Sequence, residues 1–130
     1  MACDAQTQTM LHFDGADAAT TTTDYSQNGI TYTFNGNAQL DIDQKKFGTA
    51  SLLLDGSGDY LTAPDHAQWD FTDFTIDFWF RGSTFSNGVA YCFFSRNANS
   101  KISIRRGTDN TMQVYINGTE RNFGSWTPAT

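Results

Sequence analysis

Apolar residues along this chain recur at every second position in short runs, and glycine, asparagine and aspartate break the runs apart. The clearest run is Phe74–Arg81. Phe74, Ile76, Phe78 and Phe80 fall on one face, and Thr75, Asp77, Trp79 and Arg81 on the other. A sustained period of two predicts a half-buried antiparallel strand, because successive side chains of an extended chain point to opposite sides. Lys101–Arg106 and Thr111–Ile116 alternate in the same way around Gly107-Thr108-Asp109-Asn110. They predict a hairpin with Ile102 and Ile104 facing the core beside Met112, Val114 and Ile116.

The rest of the chain reads as shorter strands between turns. Met10–Phe13 ends at Asp14-Gly15, Ile30–Phe34 ends at Asn35-Gly36, and Ala38–Ile42 and Ser51–Asp55 follow. Tyr60–Ala63 stops at Pro64, and Val89–Ser95 is a second long strand. Asp55-Gly56-Ser57-Gly58-Asp59 must turn, since closely spaced glycines admit positive φ. Lys45-Lys46-Phe47-Gly48 reads as a connector, and His66–Phe71 is the one candidate for a helical turn. Residues 1–9 are polar and aperiodic and read as a tail. Residues 10–130, with no repeat and no low-complexity linker, read as one all-β domain. Turns at such regular spacing fit a sandwich or a barrel, and periodicity does not choose between them.

Composition narrows the function classes. The chain has 130 residues, 15% of them aromatic, and a net charge of -6. An acidic chain repels phosphate backbones, which argues against nucleic acid as a partner. Thirteen of the fourteen acids are Asp, the exception being Glu120, and they stand singly, as turn residues do. No stretch approaches the length of a membrane span, so membrane insertion is not expected. No basic start followed by an apolar run marks a secretory signal at Met1–Gln6, although a processed start would look the same. Cys3 and Cys92 allow one disulfide or two thiols, one in the tail and one buried in a strand.

Three strings carry a family resemblance. They are Leu11-His12-Phe13-Asp14-Gly15-Ala16-Asp17 with Asp24–Gly29, then Lys46-Phe47-Gly48 running through Leu52-Leu53-Leu54-Asp55-Gly56-Ser57-Gly58-Asp59-Tyr60-Leu61, then Asp73–Arg81. Their order and spacing resemble laminin G-like domains of the concanavalin A-like superfamily, across most of residues 10–120. The resemblance implies an antiparallel jelly-roll sandwich of the kind found on phage tails, other virion proteins and bacterial surfaces. It also implies a further Trp-His-His strand and a Val-Asp-Gly hairpin beyond Thr130. The chain is therefore expected to be a short form, or to have its strands completed by self-association or a neighbouring chain.

Each candidate chemistry has a competing structural reading. Glycoside hydrolysis needs two facing carboxyl groups, and the laminarinase-like Glu-x-Asp-x-Glu string is absent. Asp41 and Asp43 would share a face but read as a solvated strand end. His12 and His66 lie in no nucleophile context, so no enzyme activity is expected. Calcium takes loop oxygens, and many members of the resembled family hold one ion. Asp14, Asp24, Asp55 and Asp59 are the candidate ligands, set against ordinary Asp-Gly turns. Asn117-Gly118-Thr119 matches a glycosylation acceptor but reads better as a turn.

The outward positions of the alternating strands offer a ligand face. Asp77, Trp79, Arg81, Lys101, Ser103, Arg105, Gln113, Tyr115 and Asn117 fall there, with Asp77, Trp79, Arg81, Arg105, Gln113 and Tyr115 the binding candidates. Aromatic plates among hydrogen-bonding groups suit a sugar, which has an apolar ring face and polar hydroxyls. The expectation is a non-catalytic glycan- or protein-binding module on a virion or extracellular surface. The competing reading is a structural decoration or assembly protein without a glycan ligand.

Overall fold

The computed structural model describes residues 4–70, 72–82, 85–86, 88–96 and 101–125. Among them the protein is antiparallel β, with one 3-10 turn at Ala67–Trp69 and no α-helix. The chain divides into two compact units, Met1–Trp79 and Phe80–Thr130.

The first unit is built on a broken ribbon. Strand β1 (Thr33–Asn35) pairs with β4 (Tyr60–Thr62), and β2 (Gln39–Asp41) pairs with β3 (Ser51–Leu53). One side of the ribbon has only residues 36–38 between its two ladders, while the other carries residues 54–59. The surplus is folded into the Asp55–Asp59 turn, as the glycine spacing predicts. Two aspartates close it. Asp59 accepts from the backbone N–H of Asn37 at 2.6 Å and of Asp55 at 2.7 Å, and Asp55 accepts from Ser57 N–H at 2.7 Å. Gly36 sits opposite with φ 71°, where a Cβ would run into Asp59 and the Gly58 carbonyl.

Leu40 is the buried centre of this unit, with Ile30, Ala38 and Ala50. Its backbone also pairs outward: Leu40 N–H donates to Ala19 O at 2.8 Å, and Ala18 N–H donates to Leu40 O at 2.9 Å. Gly15 packs so closely on the Leu40 side chain that a Cβ there would meet it at 2.6 Å. The predicted strand Met10–Phe13 is reduced to a single antiparallel bridge, Leu11 with Asp24. Gln8 and Thr9 are also tied in. Gln8 O accepts from Asn28 Nδ2 at 2.9 Å, and Thr9 Oγ1 lies 2.7 Å from the Tyr32 hydroxyl.

The second unit is a continuous four-stranded antiparallel sheet in the order β5 (Tyr91–Arg96), β6 (Ile102–Arg106), β7 (Thr111–Ile116), β8 (Thr119–Ser125). The predicted hairpin is present, with Ile102 opposite Ile116 and Ile104 opposite Val114. Its turn closes by Asn110 N–H to Gly107 O at 3.1 Å, with Asn110 at φ 64°. Strand β8 was not foreseen. It follows a two-residue loop in which Asn117 and Gly118 have φ 48° and 75°, the mirror-image turn that matches strand twist.

Three expectations need correction. Phe74–Arg81 belongs to none of the eight strands, and Phe74, Phe78 and Phe80 are each 41% exposed. The boundary between the units falls within this segment. Alternation fixes side-chain directions but cannot name the neighbour whose N–H and C=O groups complete a ladder. The outward set on β6 and β7 is also partly inward, because Ser103 and Gln113 are buried whereas Ile116 is exposed. Gln113 can be buried because its amide is satisfied locally, as described below. Cys92 is an exposed free thiol rather than a buried one, and Cys3 lies outside the described residues.

Candidate functional site

The loop from Ile42 to Ala50, between β2 and β3, carries an exposed aromatic ring, Phe47. Its feet are fixed on both sides. Asp41 accepts from Asp43 N–H at 2.6 Å, and the Ser51 hydroxyl donates to Gln44 O. The Lys45 ammonium donates to Ile42 O at 2.6 Å. Farther along, Asp14 accepts from Thr49 N–H at 2.6 Å and from its hydroxyl at 3.1 Å. Gly48 has φ 68° and lies directly against the Asp14 carboxylate, so a side chain there would break this clasp.

The anchored loop presents Phe47, which is 68% exposed, to Trp79, which is 69% exposed. The rings meet edge to face, with centroids 6.1 Å apart and planes at 80°. Lys46 Nζ lies 4.6 Å from the Trp79 centroid and 5.8 Å from that of Phe47. A cation over an aromatic face is attracted by the ring quadrupole, weakly when exposed. Trp79 was a sequence candidate. Phe47 and Lys46 lie in the Lys45–Gly48 connector and in the second string of the family resemblance, and neither reading marks them as a binding site.

The second unit gathers the other candidates on one face of its sheet. Arg105 pairs with Gln113 across β6 and β7, and Tyr115 pairs with Glu120 across β7 and β8. Arg105 Nε donates to Gln113 Oε1 at 3.0 Å, an Arg105 Nη donates to the Tyr115 hydroxyl, and that hydroxyl donates to Glu120. The Arg105 guanidinium also lies 4.2 Å from the Tyr115 ring centroid. Hydrogen bonding to the Glu120 carboxylate raises the Tyr115 phenol above its ordinary value. Gln113 Nε2 donates to Thr111 Oγ1 at 3.2 Å and to Asp109 at 3.4 Å. These side chains largely satisfy one another. Asp77 and Arg81 are exposed, with Asp77 in the first unit and Arg81 outside the strands of the second.

The four calcium candidates all hold backbone. Asp24 is buried and accepts from Met10 N–H, Ser26 N–H, Ile30 N–H and the Ser26 hydroxyl at 2.9–3.0 Å. Burial pushes its carboxyl up, but those bonds outweigh burial and hold it below the ordinary carboxylate value. Asp14 and Asp55 are likewise held low, chiefly by the backbone N–H groups of Thr49 and Ser57. The structure brings Asp55 and Asp59 together in one turn, while Asp14 and Asp24 serve separate loops. Among the described residues no three His, Cys, Asp or Glu side chains are grouped as a metal site. His12 stacks on Tyr25 with centroids 4.5 Å apart.

Charge separates the two units. The first has twelve aspartates against Lys45 and Lys46, a balance of -10; the second has Asp109 and Glu120 against six Lys and Arg, a balance of +4, which together give the -6 of the chain. In the second unit Arg106 is 2% exposed and bonded to Ser86 O and Asn110 Oδ1, both neutral, with Nε unsatisfied.

An antiparallel β protein with an open aromatic pair on an acidic unit is the class that fold and surfaces define. Comparison with protein-family models, with curated proteins and with solved structures finds no match to this chain.

Proposed function

We propose that this chain is a non-catalytic binding module of the laminin G-like, concanavalin A-like kind, displayed on a virion or an extracellular surface, and that its ligand is a glycan. The observation that carries the reading is the Phe47–Trp79 pair. Two large rings stand open to solvent edge to face, Phe47 on a loop clasped at both feet and Trp79 facing it. Exposed aromatic area on a pre-set loop favours binding, because little ordering entropy remains to be lost. The non-catalytic part of the reading rests on the sequence, which has a single Glu and no Glu-x-Asp-x-Glu string to set facing carboxyl groups. Asp14, Asp24, Asp55 and Asp59, the calcium candidates, accept hydrogen bonds within the protein. The same commitments leave the proposal without calcium.

A glycan array tests it. The wild-type chain is expected to bind a restricted set of sugars, and Trp79→Ala and Phe47→Ala to lose at least about tenfold in affinity with the circular dichroism unchanged. An array silent for the wild-type chain would end the glycan reading.

A structural or assembly role is the second reading. It is favoured by strand β8, exposed along its whole length at the sheet edge, and by the opposite charges of the two units. A partner chain or second copy would add to that edge within a completed jelly roll. Light scattering that shows only a dilute monomer at all concentrations counts against it.

A further inference from the structure

We infer that the Phe47–Trp79 platform selects sugars bearing a free amino group, with the ligand ammonium taking the place over the rings that Lys46 Nζ holds now. This rests on the glycan reading above and names the class of glycan. Three observations converge on it.

The first is geometric. An ammonium already sits 4.6 Å from the Trp79 centroid and 5.8 Å from the Phe47 centroid, so the rings are arranged to receive one. The second is electrostatic. Lys45 and Lys46 are the sole cations of a unit carrying twelve aspartates, and the Lys45 ammonium is held on Ile42 O. The net charge of this unit therefore favours cationic ligands over carboxylate or sulfate sugars. The third is availability. Among the described residues the Lys46 ammonium has no carboxylate partner, and its contact with exposed rings is a weak hold. A long, flexible lysine can swing aside, whereas Phe47 is carried on a loop that the Asp14–Thr49 clasp anchors.

An amino sugar matches both parts of this surface. Its ring C–H face can lie on an indole or phenyl plane, and its ammonium can meet the ring quadrupole within the acidic field. A neutral N-acetylated sugar of the same backbone keeps the first contact and loses the second.

The test titrates the intact chain with chitosan oligosaccharides and with chitin oligosaccharides of equal length, at a mildly acidic pH where the amines are charged. The chitosan form is expected to bind about tenfold tighter, and the preference should shrink as salt is raised. Lys46→Gln gives the decisive sign. It removes a like charge and a competitor for the ring, so chitosan affinity should rise about threefold to tenfold while chitin affinity changes little. Trp79→Ala should abolish both. Equal binding of the two oligosaccharides, or weaker chitosan binding in Lys46→Gln, overturns the inference and leaves the glycan reading standing. Stronger binding of a lysine-rich peptide than of either sugar overturns the ligand class. If neither oligosaccharide binds and a broad array is silent, the glycan reading falls and takes this inference with it.

Discussion

The two units hold their turns by different means. In the first, no strand exceeds three residues, and carboxylates from Asp14, Asp24, Asp55 and Asp59 satisfy the backbone that short ladders leave over. In the second, strands of five to seven residues form one ladder, and its turns close through backbone conformation at Asn110, Asn117 and Gly118. Twelve of the thirteen aspartates lie in the first unit, and Asp4, Asp14, Asp24, Asp41, Asp55 and Asp59 there accept from backbone N–H groups. Part of the acidic charge of the first unit is thus a by-product of short strands.

If that contrast is right, removing one carboxylate should harm the first unit far more than the second. Asp24→Ala is the largest expected effect. It removes the acceptor of three N–H groups, from Ile30, which is buried, and from Met10 and Ser26, whose bonds are part-buried. The cost should be about 2–3 kcal/mol, within the range for buried bonds to a charged acceptor. Hydrogen exchange resolves the location: protection should fall across residues 10–62 and hold across 91–125. Uniform loss in both segments would show that the units unfold as one.

Acid should draw the same line more gently. Asp14, Asp24 and Asp55 are held below the ordinary carboxylate value in the folded protein, so they bind protons more readily once unfolded. Their contribution is present above the unfolded value near pH 4 and is lost as pH falls through the lowered folded values. Below about pH 4, protection in residues 10–62 is expected to go first. Loss that begins in 91–125 would contradict the contrast; Asp109 is held low there, by the Thr111 hydroxyl and N–H.

What the sequence revealed follows the same division. Strands β2 to β7 and the 3-10 turn lie where alternation and turn residues placed them, because both report local preferences. Pairing partners are a different matter. Phe74–Arg81 has the strongest alternation in the chain and no place in a ladder, since a pattern of side chains carries no information about which backbone lies alongside. Strand β8 has the reverse character: Thr119-Glu120-Arg121-Asn122 shows no apolar face, yet Asn117-Gly118 delivers it beside β7. The candidate site divided likewise. Arg105, Gln113 and Tyr115 were legible because register follows from the hairpin. Phe47 and Lys46 were not, because their meeting with Trp79 depends on the distant Asp14–Thr49 clasp.

Gly118→Ala is the smallest effect, and it tests whether β8 owes its place to the turn or to its side chains. At φ 75° an alanine is strained, with a cost on the order of 1 kcal/mol, and no side chain contact is lost because a Cβ there would meet open space. Opposing this strain, Tyr115 donates to Glu120, and Asn122 Nδ2 donates to Thr111 Oγ1 at 3.0 Å. If the turn positions the strand, exchange in Thr119–Ser125 should quicken about fivefold while Tyr91–Ile116 stays protected. If the cross-strand bonds position it, Glu120→Gln with Asn122→Ala should loosen β8 and Gly118→Ala should not. In that case a mirror-image turn is no requirement for this edge, and the backbone-closed character assigned to the second unit would hold for its β6–β7 hairpin alone.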